Sequence, residues 1–157
     1  MIEEEFSHLD EQGHVHMVDV SSKDVTGREA VAEATVVMKP TTRDLLFAGG
    51  LPKGDALATA RIAGIMAAKR TSELIPLCHP IALTSVSIDI APSDYGASLR
   101  ATVATRDRTG VEMEAMTAVS VAALSVYDMI KGVERGAYVD DVRLLSKSGG
   151  RSGEWAR

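Results

Sequence analysis

A run of small and apolar side chains at residues 115–130 constrains the fold of this chain more than any other segment. It is long enough for several helical turns, and its small side chains allow close packing against a sheet. Two acids, Glu112 and Glu114, precede the run, and Asp128 and Lys131 lie at its end. Ionisable groups on an apolar helix are usually paired or used for function. We therefore predict a core helix whose two ends carry candidate functional residues.

The rest of the chain alternates between strand and helix patterns. Residues 29–39 place apolar side chains at every second position, and so do residues 85–90 and 99–103. Asp55 is a good N-cap for a helix that we expect to end before Pro76. The predicted strands are 14–20, 29–39, 85–90, 99–103 and 138–145, and the predicted helices are 41–48, 56–74 and 110–132.

From residue 29 onward this order is strand, helix, strand, strand, helix, strand. It predicts an α+β protein with a ferredoxin-like antiparallel sheet and helices packed on one face. The strand at 14–20 and the short helix at 41–48 are N-terminal additions to that pattern. We expect a flexible N-terminus at 1–13, one domain at 14–146 and a Gly-rich basic C-terminal segment at 147–157.

Composition limits the classes of function. Aromatic residues make up only 4% of the chain, so small aliphatic side chains must form the core, and we expect an oligomer to bury further area. A net charge of -5 argues against a general nucleic-acid binder. The acidic start lacks the basic region of a signal peptide, and residues 115–130 are short for a membrane span. We therefore expect a cytoplasmic protein.

Two interpretations fit Asp128 and Lys131, which are three positions apart on one helical face. One is an ordinary surface ion pair near a helix end. The other is an acid–base pair, and the apolar neighbourhood favours it. A lysine beside low-dielectric walls loses its proton more easily, and an aspartate then tunes it.

Glu112 and Glu114 also have two interpretations, either complementation of the helix dipole or a functional pair of carboxylates. Extended backbone before Glu114 would point the two carboxylates to one side. Glu112 lies nineteen positions before Lys131. At about 1.5 Å per residue the separation is about 28 Å. One small substrate cannot contact both ends, so we expect the ends to meet across a subunit interface.

Other candidates are weaker as isolated motifs. Lys53 precedes Gly54 at a helix start, which is an arrangement that binds anions. His79 lies in a rigid loop between two prolines and is a candidate to bind or protonate a substrate. We expect the adjacent Cys78 to be buried, because neighbours in extended backbone point to opposite sides. A catalytic Cys–His dyad is therefore disfavoured.

Two further segments leave alternatives open. His14 and His16, with Asp19, form an incomplete set of metal ligands, and we predict no metal site there. Residues 147–153 are Gly-rich and basic. They have the composition of a phosphate-binding loop, but a flexible tail fits that composition equally well.

The ordered set of motifs is specific where the single motifs are weak. Together they closely resemble the molybdenum cofactor biosynthesis protein C family, the cyclic pyranopterin monophosphate synthases, from about residue 14 to residue 153. The matching segments are HMVDV at 16–20, KGD at 53–55, ATARIAG at 58–64, AAKRT at 67–71, LIPLCHP at 74–80, GVEMEA at 110–115, YDM at 127–129 and KSGG at 147–150.

The resemblance implies a lyase that converts 3',8-cyclo-7,8-dihydro-GTP to cyclic pyranopterin monophosphate and releases pyrophosphate. It implies a hexamer built as a trimer of dimers, with pockets at the dimer interface and no required cofactor, although a divalent metal is left open. An alternative is a non-catalytic nucleotide-binding regulator of the same fold. Matching positions make Asp128, Lys53 and Lys131 catalytic. The implied substrate-binding residues are Leu77, Cys78, His79, Glu112, Met113, Glu114, Arg28, Lys69 and Lys147.

Overall fold

The computed structural model describes residues 8–157, and the predicted flexible N-terminus falls partly on residues outside that range. Five strands and four helices occur within residues 8–157. They are β1 (Thr26–Val37), α1 (Pro40–Phe47), α2 (Ala56–Lys69), α3 (Thr71–Leu74), β2 (Leu83–Ser93), β3 (Gly96–Asp107), α4 (Glu112–Ile130), β4 (Tyr138–Ser148) and β5 (Trp155–Ala156).

The strands form one antiparallel sheet in the order β2-β3-β1-β4-β5. The central strand β1 pairs along its whole length with β3, from Thr26 opposite Asp107 to Val37 opposite Gly96. Without β5, this strand order is that of a ferredoxin-like fold, with α2 and α4 packed against each other and against the sheet. The prediction of fold class is confirmed.

The core consists of small side chains, as composition requires. Five alternate positions on the face of β1 and its extension are at most 6% exposed: Ala30, Ala32, Ala34, Val36 and Met38. The two long helices approach closely. A Cβ on Gly64 of α2 would lie 3.0 Å from the carbonyl oxygen of Ala118 on α4, so glycine permits this spacing.

The prediction for α2 was right at its start and wrong at its end. Asp55 caps the helix by accepting a hydrogen bond of 2.9 Å from the backbone N–H of Ala58. The helix ends at Lys69 instead of continuing to residue 74. The Thr71 hydroxyl donates to the Ala68 carbonyl over 3.0 Å, satisfying a C-terminal carbonyl, and a separate turn of helix follows.

The predicted strand at 14–20 is wrong. Among the residues that the structure describes, its strand pairing is limited to an isolated bridge between Leu9 and Val15. Further on, the backbone carbonyl of Val18 accepts a hydrogen bond from the His79 ring. The segment thus lies against the His79 loop, and no strand within residues 8–157 forms a ladder with it. By contrast, the short helix predicted at 41–48 is present as α1.

Helix α4 is the one helix within residues 8–157 that is long and apolar enough to cross a membrane by length and composition. Its buried face instead contacts β1, β3 and β4 and the helix α2. Ala115, Ala118, Val119, Ala122, Ala123 and Val126 are all fully buried. These contacts identify α4 as the core helix of the domain.

Candidate active site

Three predicted catalytic residues meet at the C-terminal end of α4. The Asp128 carboxylate lies 3.0 Å from Nζ of Lys53 and 2.6 Å from Nζ of Lys131. Lys53 also donates to the backbone carbonyl of Asp128 over 2.9 Å. Lys131 is close because it is one helical turn away, whereas Lys53 comes from the loop before α2. We call these three residues the triad.

The electrostatic environment of the triad differs from the sequence-based expectation. We predicted an apolar setting in which Lys131 loses its proton easily. The side chains of Lys53, Asp128 and Lys131 are instead 45%, 54% and 50% exposed. Hydrogen bonding to Asp128 raises the pKa of Lys131, and hydrogen bonds from Lys131 and Lys53 lower the pKa of Asp128. Ion pairing outweighs desolvation because water still reaches these groups in a single subunit.

A cavity of about 390 Å³ lies at the opposite, N-terminal end of α4. It brings together the predicted residues of the 77–79 loop and the start of α4: Leu77, Cys78, His79, Glu112, Met113 and Glu114. The helix begins at Glu112, so the extended backbone that would align the two carboxylates is not present. Both nevertheless line this one cavity, which we call the ring cavity.

His79 enters the ring cavity with a fixed orientation. Its Nε2 lies 2.7 Å from the Val18 carbonyl oxygen, which can only accept, so Nε2 carries the proton. The neutral ring therefore has its unprotonated nitrogen at Nδ1. We predicted that Cys78 is buried, but it is only half-buried. It lines the same cavity as His79. Desolvation, with help from Glu114, raises the pKa of its thiol, which disfavours a nucleophilic thiolate.

Glu114 is the most unusual ionisable group of the ring cavity. It is only 3% exposed, and burial raises its pKa from 4.5 to about 7, with Glu112 adding to the rise. A carboxyl that titrates near neutrality exchanges a proton readily at working pH. Glu114 therefore supplies the site with a group able to donate or accept a hydrogen bond.

This pKa predicts a pH-dependent stability. Between about pH 4.5 and pH 7 the folded state holds a proton on Glu114 that the unfolded state has lost, so stability falls as pH rises through this window. The variant Glu114→Gln lacks this dependence. We expect the free energy of unfolding of this variant, taken relative to wild type, to rise by roughly 2–3 kcal/mol from pH 5 to pH 8. Urea unfolding at both pH values and one protein concentration measures the difference, and parallel pH profiles would contradict the prediction.

A smaller recess of about 170 Å³ adjoins the ring cavity and contains two of the predicted phosphate contacts, Arg28 and Lys147. Arg28 donates to the backbone carbonyls of Asp107 and Arg108 over 3.0 and 3.1 Å. Lys147 lies 3.5 Å from Glu112 and also contacts the Ser152 hydroxyl. With Lys23, three cations line the recess against the two carboxylates of Glu29 and Glu112, so it is a suitable anion site. We call it the phosphate recess.

The Gly-rich segment turns directly over Arg28. Gly149 and Gly150 both have positive φ angles, of 92° and 73°. A Cβ on Gly149 would collide with the Gly27 carbonyl oxygen, and one on Gly150 would collide with the Arg28 guanidinium. After this turn the chain returns to the sheet as β5, with Trp155 paired to Lys147. Backbone conformation and the neighbouring backbone therefore both require glycine at 149, whereas at 150 the positive φ favours glycine and a Cβ would displace the Arg28 guanidinium.

The substitution Gly150→Ala should displace the Arg28 guanidinium and weaken the affinity of the recess for an anion such as pyrophosphate about tenfold, the effect of losing roughly 1.4 kcal/mol. Gly153→Ala is a matched control, because Gly153 also has a positive φ, of 64°, but open space around its Cβ position. Titration calorimetry with pyrophosphate compares the two variants. Equal affinities would show that the collision with Arg28 does not matter.

Lys69 is the predicted phosphate contact that the subunit does not bring to these sites. It lies at the C-terminal end of α2 and lines neither the ring cavity nor the phosphate recess. Sequence reasoning missed Lys23 and Thr109, which line both. Neither residue belongs to a motif with recognisable spacing, because loop contacts between distant segments place them here. Within residues 8–157, His, Cys, Asp and Glu form no group of three that is arranged to hold a metal ion.

The fold and these sites define a class of protein: a ferredoxin-like α+β enzyme with acid–base groups at one end of a core helix and a cationic recess at the other. The sequence profile of the MoaC family matches residues 17–150, and the chain belongs to this family. The resemblance seen in the sequence is thereby confirmed.

Several curated relatives match nearly the whole chain. Proteins named cyclic pyranopterin monophosphate synthase from Streptomyces avermitilis and Chloroflexus aggregans are 57% and 55% identical to it. These matches cover 99% and 98% of this chain and 91% and 94% of the relatives. Cyclic pyranopterin monophosphate synthase 2 of Mycobacterium bovis is 59% identical, over 98% of this chain and 92% of the relative.

Proposed function

We propose that this chain is a lyase of molybdenum cofactor biosynthesis that converts 3',8-cyclo-7,8-dihydro-GTP to cyclic pyranopterin monophosphate. The observation that carries the proposal is the ring cavity lying directly beside the phosphate recess, in a chain similar along its length to named synthases. A purine-derived triphosphate can place its ring system in the ring cavity and its phosphates in the phosphate recess. Its rings need polar groups such as Glu114 and His79, and its phosphates need cations such as Arg28 and Lys147.

The triad supplies the acid–base groups for ring opening and closure. Lys131 is protonated at neutral pH, since Asp128 raises its pKa, so it begins the reaction as a proton donor. In the phosphate step a substrate hydroxyl forms a P–O bond to the first phosphorus, the P–O bond to the leaving pyrophosphate breaks, and the hydroxyl proton is transferred to the departing pyrophosphate. Positive charge in the phosphate recess stabilises the departing pyrophosphate. These steps need no cofactor, and we expect turnover to survive dialysis against a metal chelator.

We further propose a homo-oligomer, a hexamer arranged as a trimer of dimers, with each active site shared between two subunits. Apolar side chains are exposed on the outer faces of α2 and α4, including Ile62 and Leu124, each 59% exposed, and Met66, 50% exposed. Such surfaces commonly mark protein contacts. The half-exposed triad would lose water at the same contact, which would strengthen its electrostatic interactions. The single cysteine, Cys78, suits the reducing cytoplasm, where we place the enzyme.

The alternative, a non-catalytic nucleotide-binding regulator, is not favoured. A regulator needs phosphate-binding cations but has no need of an aspartate held between two lysines. The relatives named above also carry the name of an enzyme.

The direct test is incubation of the purified protein with 3',8-cyclo-7,8-dihydro-GTP, followed by measurement of pyrophosphate and of the pterin product. We expect both to form together in equal amounts, and GTP serves as the uncyclised control. Tight binding of the substrate without release of pyrophosphate would instead support the regulator.

A further inference from the structure

The turn that carries Lys131 is tied to a distant part of the chain by Glu134. Lys131 directly follows α4, and the N–H groups of Val133 and Glu134 donate to the Ile130 carbonyl over 2.8 and 2.9 Å, which closes the turn. The Glu134 carboxylate accepts a hydrogen bond of 3.0 Å from the backbone N–H of Lys39, 95 residues earlier in the chain. The turn is therefore joined to the start of α1.

Glu134 serves as the N-terminal cap of α1. Lys39 occupies the N-cap position, where a lysine side chain has no oxygen to accept from the free N–H groups of the helix. The carboxylate of Glu134 accepts one of these N–H groups and places a negative charge at the positive end of the helix dipole. Burial alone would raise the pKa of Glu134, but hydrogen bonds from the buried Thr42 and from Lys39 lower it, so the carboxylate is charged at neutral pH.

Helix α1 leads into the loop that carries Lys53, and this loop is anchored at both ends. The Gly50 N–H donates to the Leu45 carbonyl over 2.9 Å, and the Gly54 N–H donates to the Leu51 carbonyl over 3.1 Å. The side chain of Leu51 belongs to the core. A displacement of α1 would therefore move the backbone from which Lys53 extends.

These contacts form a closed circuit around the triad. It runs from Asp128 through the end of α4 to Glu134, along α1 to the loop of Lys53, and back to the Asp128 carboxylate over 3.0 Å. Lys131 approaches the same carboxylate at 2.6 Å from the turn. Because the triad side chains are about half exposed, the positions of the two ammonium groups depend on the backbone segments that carry them.

We propose that Glu134 is a positioning residue of the triad, which keeps the turn of Lys131 and the segment leading to Lys53 at a fixed separation so that both ammonium groups meet Asp128. The proposal rests on the proposed function. Glu134 acts through the two lysines and through the hydrogen bonds that its carboxylate accepts. Acid–base catalysis depends steeply on such geometry, since a misplacement of about 1 Å can cost about 100-fold in rate.

Substitution of Glu134 should affect turnover more than substrate binding. Glu134→Ala should lower kcat about tenfold and leave KM within about twofold of wild type, because the triad loses its alignment while the binding cavities keep their lining. Glu134→Gln keeps an oxygen that accepts from Lys39 and Thr42, so it should restore kcat to within about threefold of wild type. Asp44→Ala is the matched control, since Asp44 forms an ion pair of 2.9 Å with Arg43 on the same helix. It should leave kcat unchanged.

A double variant separates positioning from a general effect on the fold. Added to Lys53→Ala, Glu134→Ala should cause less than about a twofold further loss in single-turnover rate, because one of the two lysines to be aligned is already missing. A purely structural role would instead add the full loss of about tenfold. Thr42→Val keeps the shape of a buried side chain and removes one of the two hydrogen bonds to Glu134. It should lower kcat about threefold and provides the comparison if Glu134→Ala does not assemble.

Any of three results would overturn the proposal. The first is a wild-type kcat in both Glu134→Ala and Thr42→Val. The second is a Glu134→Gln variant as slow as Glu134→Ala, which would show that the accepted hydrogen bonds do not matter. The third is a full tenfold loss on top of Lys53→Ala. Failure of the proposed function gives a different result, because wild-type protein would then release no pyrophosphate from the substrate.

Discussion

Asp128→Ala should lower kcat by about 10³-fold or more. Loss of one positioned acid–base group typically lowers the rate by about 10²- to 10⁴-fold. The carboxylate holds the ammonium groups of Lys53 and Lys131 at 3.0 and 2.6 Å. Without it, two like charges are left close together, and only the hydrogen bond from Lys53 to the backbone carbonyl of residue 128 still holds one of them. Lys53→Ala and Lys131→Ala should cause losses of the same order, because each removes one half of the arrangement.

The fold should survive all three substitutions. The triad side chains are about half exposed, and exposed ion pairs contribute little to stability. Glu33→Ala is the matched control, since Glu33 forms an equally close ion pair, 2.6 Å from Arg143, on the sheet. It should keep near-normal turnover. Single-turnover product formation measures the loss of activity, and gel filtration checks that the oligomer keeps its size. Wild-type-like turnover in all three triad variants would refute the mechanism.

The fold was predictable from local patterns because each element has a strong one. The alternation in β1 reappears as one buried face, and the apolar run at residues 115–130 lies within α4. The prediction of an N-terminal strand at residues 14–20 was wrong because strand formation there depends on tertiary contacts, which the local sequence pattern does not reveal. Within residues 8–157, residues 14–20 pair with no strand beyond the isolated bridge at Val15, and Val18 accepts a hydrogen bond from the His79 ring instead.

The active site was predictable only in part. Asp128 and Lys131 are one helical turn apart, so their contact follows from spacing. Lys53 is 75 residues from Asp128, and only the family resemblance connected the two before the fold was known. The protonation behaviour was wrongly predicted because a small-residue helix suggested burial, whereas the side chains of Asp128 and Lys131 are about half exposed. Lys23 was missed because its position depends on loop packing across 85 residues to Arg108.

The length of α4 connects the two functional regions. The triad lies at its C-terminal end and the ring cavity at its N-terminal end, and 19 residues at about 1.5 Å each separate them by about 28 Å. A single subunit cannot apply both to one substrate of nucleotide size. Both sets of residues act in one reaction only if a second subunit brings its ring cavity to the first subunit's triad, as in a two-fold dimer with antiparallel neighbouring helices.

Mixed oligomers of two inactive variants should therefore recover activity. When Asp128→Ala and Glu112→Ala subunits are unfolded, mixed equally and refolded, half of the dimers contain one of each. In such a dimer one site combines both mutations, while the other combines an intact triad with an intact ring cavity. Half of the dimers thus have one intact site out of two, so we expect about a quarter of wild-type activity.

The control for this experiment mixes Asp128→Ala with Lys53→Ala. Both substitutions affect the triad, whose residues come from one subunit, so every triad in the mixture lacks one member. This mixture should stay inactive, which separates true sharing from a general benefit of refolding. A mixture of Asp128→Ala and Glu112→Ala that stays equally inactive, in oligomers of normal size, would show that each subunit works alone.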